Sequence, residues 1–149
     1  MLQPRRAFCT FAALTLLALL ERNAVTAAVA AGDDKGKKPS VSLKVTPPLV
    51  IAPARVRASV EIRGGADDYE EFYCPTIEWD WGDETKSESE KDCDPYEAGR
   101  SKIGRRFTTD HTYRYSGMYK VTFRMKQKDK VVAMSAVNVQ VQPGLTERF

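Results

Sequence analysis

The chain has 149 residues with 23 Lys plus Arg against 20 Asp plus Glu, a formal net charge of +3, and 42% hydrophobic and 9% aromatic residues. That length suits one domain and leaves no room for a substantial enzyme joined to an accessory module. The composition is too apolar for a wholly disordered chain, and three excess charges spread over the whole length are weak grounds for nucleic-acid binding.

Arg5 and Arg6 lie in the first ten residues, residues 7–20 carry no charge, and residues 24–31 are mostly alanine. This is the three-part pattern of a secretory signal peptide, with Ala28-Val29-Ala30 as the best cleavage site. The uncharged run is shorter than the roughly 20 residues a spanning helix needs, so residues 1–30 are expected to be cleaved and not kept as an anchor. Arg5-Arg6-Ala7-Phe8 resembles the core of a twin-arginine signal, with the general export route as the alternative. Cys9 precedes the apolar stretch, the wrong side for a lipid-modified N-terminus. Removing the signal takes Arg5, Arg6, Arg22 and Glu21 with it and leaves 119 residues with 20 basic and 19 acidic side chains. It also turns three cysteines into a pair, Cys74 and Cys93, in a compartment that permits disulfides. Closing that loop is worth on the order of 3 kcal/mol in the chain-entropy model.

Residues 31–40 are charged and lack apolar anchors, so they read as a flexible leader. From Val41 the period becomes two: Val41, Leu43 and Val45 alternate with polar residues until Pro47-Pro48 ends the run. Val56, Ala58, Val60 and Ile62 form the next apolar row, closed by Gly64-Gly65. Ile77, Trp79 and Trp81 form another, then Tyr119, Val121, Phe123 and Met125, and a valine-rich run follows over residues 130–141. Short alternating strands separated by Gly, Pro and Asp clusters, without a convincing helical period, predict an all-β antiparallel sandwich of two sheets. A five-stranded closed barrel is the second architecture; the strand number and a tryptophan in a middle strand favour the sandwich.

Trp79-Asp80-Trp81-Gly82-Asp83, then His111-Thr112-Tyr113, then Gly117-Met118-Tyr119-Lys120-Val121 occur in that order. Together they resemble the signature of the polycystic kidney disease (PKD) domain family, whose motifs run Trp-Asp-aromatic-Gly-Asp, His-Thr-Tyr and Gly-x-Tyr-x-Val. The resemblance implies an immunoglobulin-like sandwich over residues 41–142, followed by a tail at 143–149. Alternation puts Trp79 and Trp81 on one face with Asp80 opposite, and Asp83 is suited to accept turn N–H groups. Tyr113 stands where a tyrosine corner belongs, with its ring buried and its hydroxyl bonded to nearby backbone, and His111 shares its face. Two stretches depart from the family pattern: the 29 residues between Trp81 and His111, and residues 66–74, where many members have a short polar turn. The Cys74 to Cys93 bridge would tie these two unusual loops together.

The single histidine is His111, and no serine or cysteine motif accompanies it, so an enzyme is not expected. One histidine and two cysteines that pair with each other leave a zinc site short of ligands. Carboxylates gather at Asp67, Asp68, Glu70 and Glu71 and again at Glu88, Glu90, Asp92 and Asp94. Calcium is the cofactor such a set could take, with Asp67, Asp68, Glu70, Glu71, Asp92 and Asp94 as candidate ligands. However, the EF-hand spacing is absent and six cations share the second loop, so solvated loop charge is the competing reading and no cofactor is required. Tyr69, Phe72, Tyr73 and Tyr96 offer either an aromatic binding surface or the local core of a long loop.

The expected protein is a non-catalytic domain, periplasmic or secreted, which the PKD resemblance implies makes contact with a protein or carbohydrate of the envelope or the extracellular space. It would have no nucleic-acid partner and no membrane span after signal cleavage. A structural spacer stabilised by the disulfide, and by calcium if it binds, is the alternative.

Overall fold

A strand with apolar residues at every second position buries that row only against another layer. Val56, Ala58, Val60 and Ile62 are all buried, whereas Arg57 and Arg63 between and beyond them face water. A computed structural model describes residues 36–144 and shows the layer that covers them. The signal peptide, most of the leader and the last five residues lie outside the described residues.

The strands are β1 (Ser40–Thr46), β2 (Leu49–Ile51), β3 (Ala54–Arg63), β4 (Thr76–Asp80), β5 (Lys86–Ser89), β6 (Arg106–Tyr113), β7 (Gly117–Gln127) and β8 (Lys130–Gln142), with one 3-10 turn at Glu70–Phe72. One sheet has the order β1-β3-β6 and the other β2-β8-β7-β4-β5. This is an immunoglobulin-like β-sandwich, and since neither sheet closes on itself the barrel is ruled out. The core lies between the sheets, where Val56 and Val60 of β3 face Trp79 of β4 and Val121, Phe123 and Met125 of β7.

One pairing departs from the antiparallel expectation, because β2 runs parallel to β8. The cause is local: Pro47-Pro48 stops β1, and the chain then crosses from the first sheet to the second. The crossing closes one flank of the sandwich. Nothing comparable happens on the opposite flank, where β6 ends one sheet and β5 ends the other.

The stretch between Trp81 and His111 is only partly loop, since it contains β5 and most of β6. The irregular part is residues 90–105. On the outer face of the larger sheet, Glu78 is nevertheless 9% exposed because Lys126 and Arg124 cover it from β7. Hydrogen bonds from Lys126 and Arg124 hold its carboxyl below the usual carboxylate range.

Candidate functional site

The three sequence motifs converge at one end of the open flank. Trp81 stacks on the His111 ring at 4.4 Å and 11°, His111 meets Tyr113 edge to face at 4.8 Å, and Tyr113 stacks on Tyr119 at 4.2 Å. Trp79 lies parallel to Trp81 at 6.0 Å and packs against Phe123. Tyr113 is fully buried, and its hydroxyl donates to the Trp81 carbonyl at 2.9 Å. The acceptor is therefore the residue that follows β4 of the other sheet, 32 residues upstream, and not backbone close by in sequence. Burial pushes the Tyr113 phenol up, so it remains a donor.

His111 Nε2 lies 2.7 Å from Asp83 Oδ2, while Asp83 Oδ1 accepts from the Thr85 N–H and hydroxyl. Burial raises the Asp83 carboxyl, but the bonds from Thr85 and His111 outweigh it and hold the group below its ordinary value. Asp80 points to the outer face and accepts from Arg124 at 3.3 Å and from the Gly82 N–H. Gly82 has φ +77°, and a Cβ there would come within 2.9 Å of the Lys120 backbone. Thr112 is exposed, Val121 is core, and Gly117 packs beneath the Tyr119 ring, where a Cβ would meet it at 3.1 Å. These motif residues form a clasp between the sheets.

The other end of the flank is closed by the two unusual loops. Cys74 and Cys93 are bonded, with a Cα separation of 6.2 Å. The rest of the join is polar: the Tyr96 hydroxyl donates to the Asp68 carbonyl at 2.6 Å, Gly99 N–H to Asp68 Oδ2 at 2.8 Å, and Ile103 N–H to the Asp67 carbonyl at 2.8 Å. Arg105 reaches back to the carbonyls of Gly64 and Gly65 and to the Asp67 carboxylate. Tyr73 packs edge to face on Tyr96 and donates to the Asp94 carbonyl, while the Gln127 side-chain amide donates to the Tyr73 carbonyl.

Of the four aromatic candidates, Phe72 is corrected: it is fully buried under the loop, with Tyr69 against its edge, and offers no surface. An apolar residue in a loop carries no periodicity to show its direction. Tyr69, Tyr73 and Tyr96 are half-buried. The six candidate calcium ligands are not brought together. Asp67 pairs with Arg105, Glu71 with Lys130 and Lys38, and Asp68 with the Gly99 N–H, while Glu70, Asp92 and Asp94 are exposed. Among the described residues no group of three or more His, Cys, Asp or Glu could hold a metal ion. No helix among them is long and apolar enough to cross a membrane.

Between clasp and disulfide lies a groove of about 590 Å³, which sequence reasoning missed. Ile77 and Trp79 form its floor, Ser87 and Ser89 of β5 one wall, and Phe107 and Thr109 of β6 the other. Pairing of Trp79 with Ser87 and Ile77 with Ser89 turns both serines toward the interior. A sandwich would ordinarily fill such positions with larger apolar side chains, and these short ones leave space. The rim carries Lys91, Lys102 and Arg106.

The fold is similar to the PKD domain of an M14-like peptidase from a Thermoplasmatales archaeon, 15% identical with a TM-score of 0.46, covering 70% of this chain and 93% of that one. It is also similar to a CARDB domain from Pyrococcus furiosus, solved in complex with di-metal ions, at 14% identity and a TM-score of 0.44, over 70% of this chain and 90% of that one. No family model and no curated protein matches the chain.

Proposed function

We propose that the protein is an exported, non-catalytic binding domain for a protein or carbohydrate of the envelope or extracellular space, with the groove between β5 and β6 as its contact surface. One observation carries this reading: a rigid sandwich leaves about 590 Å³ open on one flank, over an aromatic floor and between two secured ends. Aromatic and aliphatic surface in a concave site supplies the contact energy, and the polar rim supplies orientation. His111 is occupied by Asp83 and Trp81, which suits a structural role better than that of a general base. The disulfide fits an oxidising compartment, and residues 1–30 are read as the signal that takes the chain there.

A spacer without a dedicated ligand is the second reading, favoured by the inward commitment of the loop aromatics: Phe72 is buried, and Tyr73 and Tyr96 bond within the loops. Capture from envelope extract decides between the two. The groove reading expects Ser89→Trp, which fills the space, to abolish capture while Tyr69→Ala leaves it intact. Equal capture by the wild type and Ser89→Trp would reject the groove, and no specific capture by either would favour the spacer.

A further inference from the structure

Ile62 and Arg105 stand opposite each other, and the Ile62 N–H donates to the Arg105 carbonyl at 2.9 Å. In an antiparallel pair such bonded positions alternate with positions whose backbone groups point away. Phe107, Thr109 and His111 therefore spend their N–H and C=O groups on β3, while those of Arg106, Thr108 and Asp110 point to the free edge of β6. Strand β5 alternates in the same way. Trp81 N–H donates to the Thr85 carbonyl at 3.1 Å, so Trp79 with Ser87 and Ile77 with Ser89 are bonded pairs, and Lys86 and Glu88 present their backbone outward. Both rows end their sheets.

A row of alternating N–H and C=O groups is matched by another backbone in extended form. The charge at the rim narrows the choice. Among the described lining residues, Lys91, Lys102 and Arg106 stand against one carboxylate, Glu88, which lies in the field of Lys126. Lys91 and Lys102 have no ion-pair partner among the described residues, and the Glu61 carboxylate beside Arg106 is held by Arg63. We infer that the groove takes an extended, acidic peptide segment of a partner protein as a strand added to β6. Alternate apolar side chains of that segment would enter over Ile77 and Trp79, and its acidic ones would face Lys91, Lys102 and Arg106. This inference rests on the binding reading above and names its partner class.

Thr108 provides the decisive variant. Its N–H points away from β3, so Thr108→Pro removes an edge donor without cutting the ladder. The exported protein is panned against a phage library of random ten-residue peptides. The inference expects acidic sequences with apolar residues at alternate positions. The best synthetic peptide should bind Thr108→Pro and Lys102→Glu at least tenfold more weakly, as should the peptide N-methylated at alternate amides. Selected peptides without that pattern, no selected peptide at all, or equal binding to Thr108→Pro would each overturn it. If Thr108→Pro does not fold, the N-methylated peptide and Lys102→Glu decide. A polyuronate binding wild type and Thr108→Pro equally would overturn the peptide assignment and leave the binding reading standing. Self-association that Thr108→Pro abolishes would assign the edge to a second copy and overturn it as well.

Discussion

The two ends of the open flank are secured by different chemistry. At the clasp, Trp81, His111 and Tyr113 join the sheets through stacked rings and a buried hydrogen bond. At the other end, one covalent bond and a set of largely exposed polar contacts hold two loops to each other. The clasp shares in the common core, so damaging it should cost the stability of the whole domain. The loops close one end of the groove, so loosening them should alter the groove more than the fold. Stable packing and an open groove thus sit side by side on one flank.

That contrast can be broken by mutation, beginning with the largest effect. Trp81→Ala removes a fully buried ring and should destabilise the domain by about 3–5 kcal/mol in denaturant titration. A loss below about 1 kcal/mol would show that the clasp is not part of the cooperative core. Replacing Cys74 and Cys93 together by Ala should cost roughly 3 kcal/mol, chiefly through the unfolded chain. Near-native circular dichroism should persist. Tyr113→Phe leaves the Trp81 carbonyl buried without its donor and should cost about 1–2 kcal/mol. Combined with the disulfide deletion, its effect should add to within about 0.5 kcal/mol if the two ends are independent. A larger discrepancy would merge them into one unit.

The smallest expected effect concerns pH. Because the folded Asp83 carboxyl lies below its ordinary value of 3.8, the unfolded chain takes up the proton first as pH falls. Its contribution is complete above that ordinary value and disappears as pH drops through the depressed folded value. Asp83→Asn should therefore flatten the acid limb of the stability profile, a difference read by denaturant titration at a series of pH values below neutrality. An unchanged acid limb would remove Asp83 from the clasp's electrostatics.

The strands whose inward residues are apolar were legible in the sequence: Val41, Leu43 and Val45, the row from Val56 to Ile62, and the row from Tyr119 to Met125 all announce themselves by alternation. Strand β5 did not, and β6 did so only in part. The inward positions Ser87 and Ser89 are short and polar, so no period of two marks β5, and Thr109 interrupts the inward row that Phe107, His111 and Tyr113 make on β6. Those short side chains also leave the space of the groove, and one physical cause therefore hid both β5 and the candidate site. The cysteine pair was visible from count and compartment. The loop carboxylates resemble a calcium cluster in the sequence because their cations come from distant positions: Arg105 for Asp67 and Lys130 for Glu71, 38 and 59 residues away. The inward turn of Phe72 was equally invisible without the chain folded around it.

Hydrogen exchange reads the free edge of β6 residue by residue without any ligand. Thr109 N–H belongs to the β3 ladder and Thr108 N–H does not. The prediction is that Thr109 exchanges at least about 100-fold more slowly than Thr108, with the same contrast between Phe107 and Arg106. Equal, strong protection at all four amides would mean that the edge is already paired, and would contradict the groove as an open binding surface.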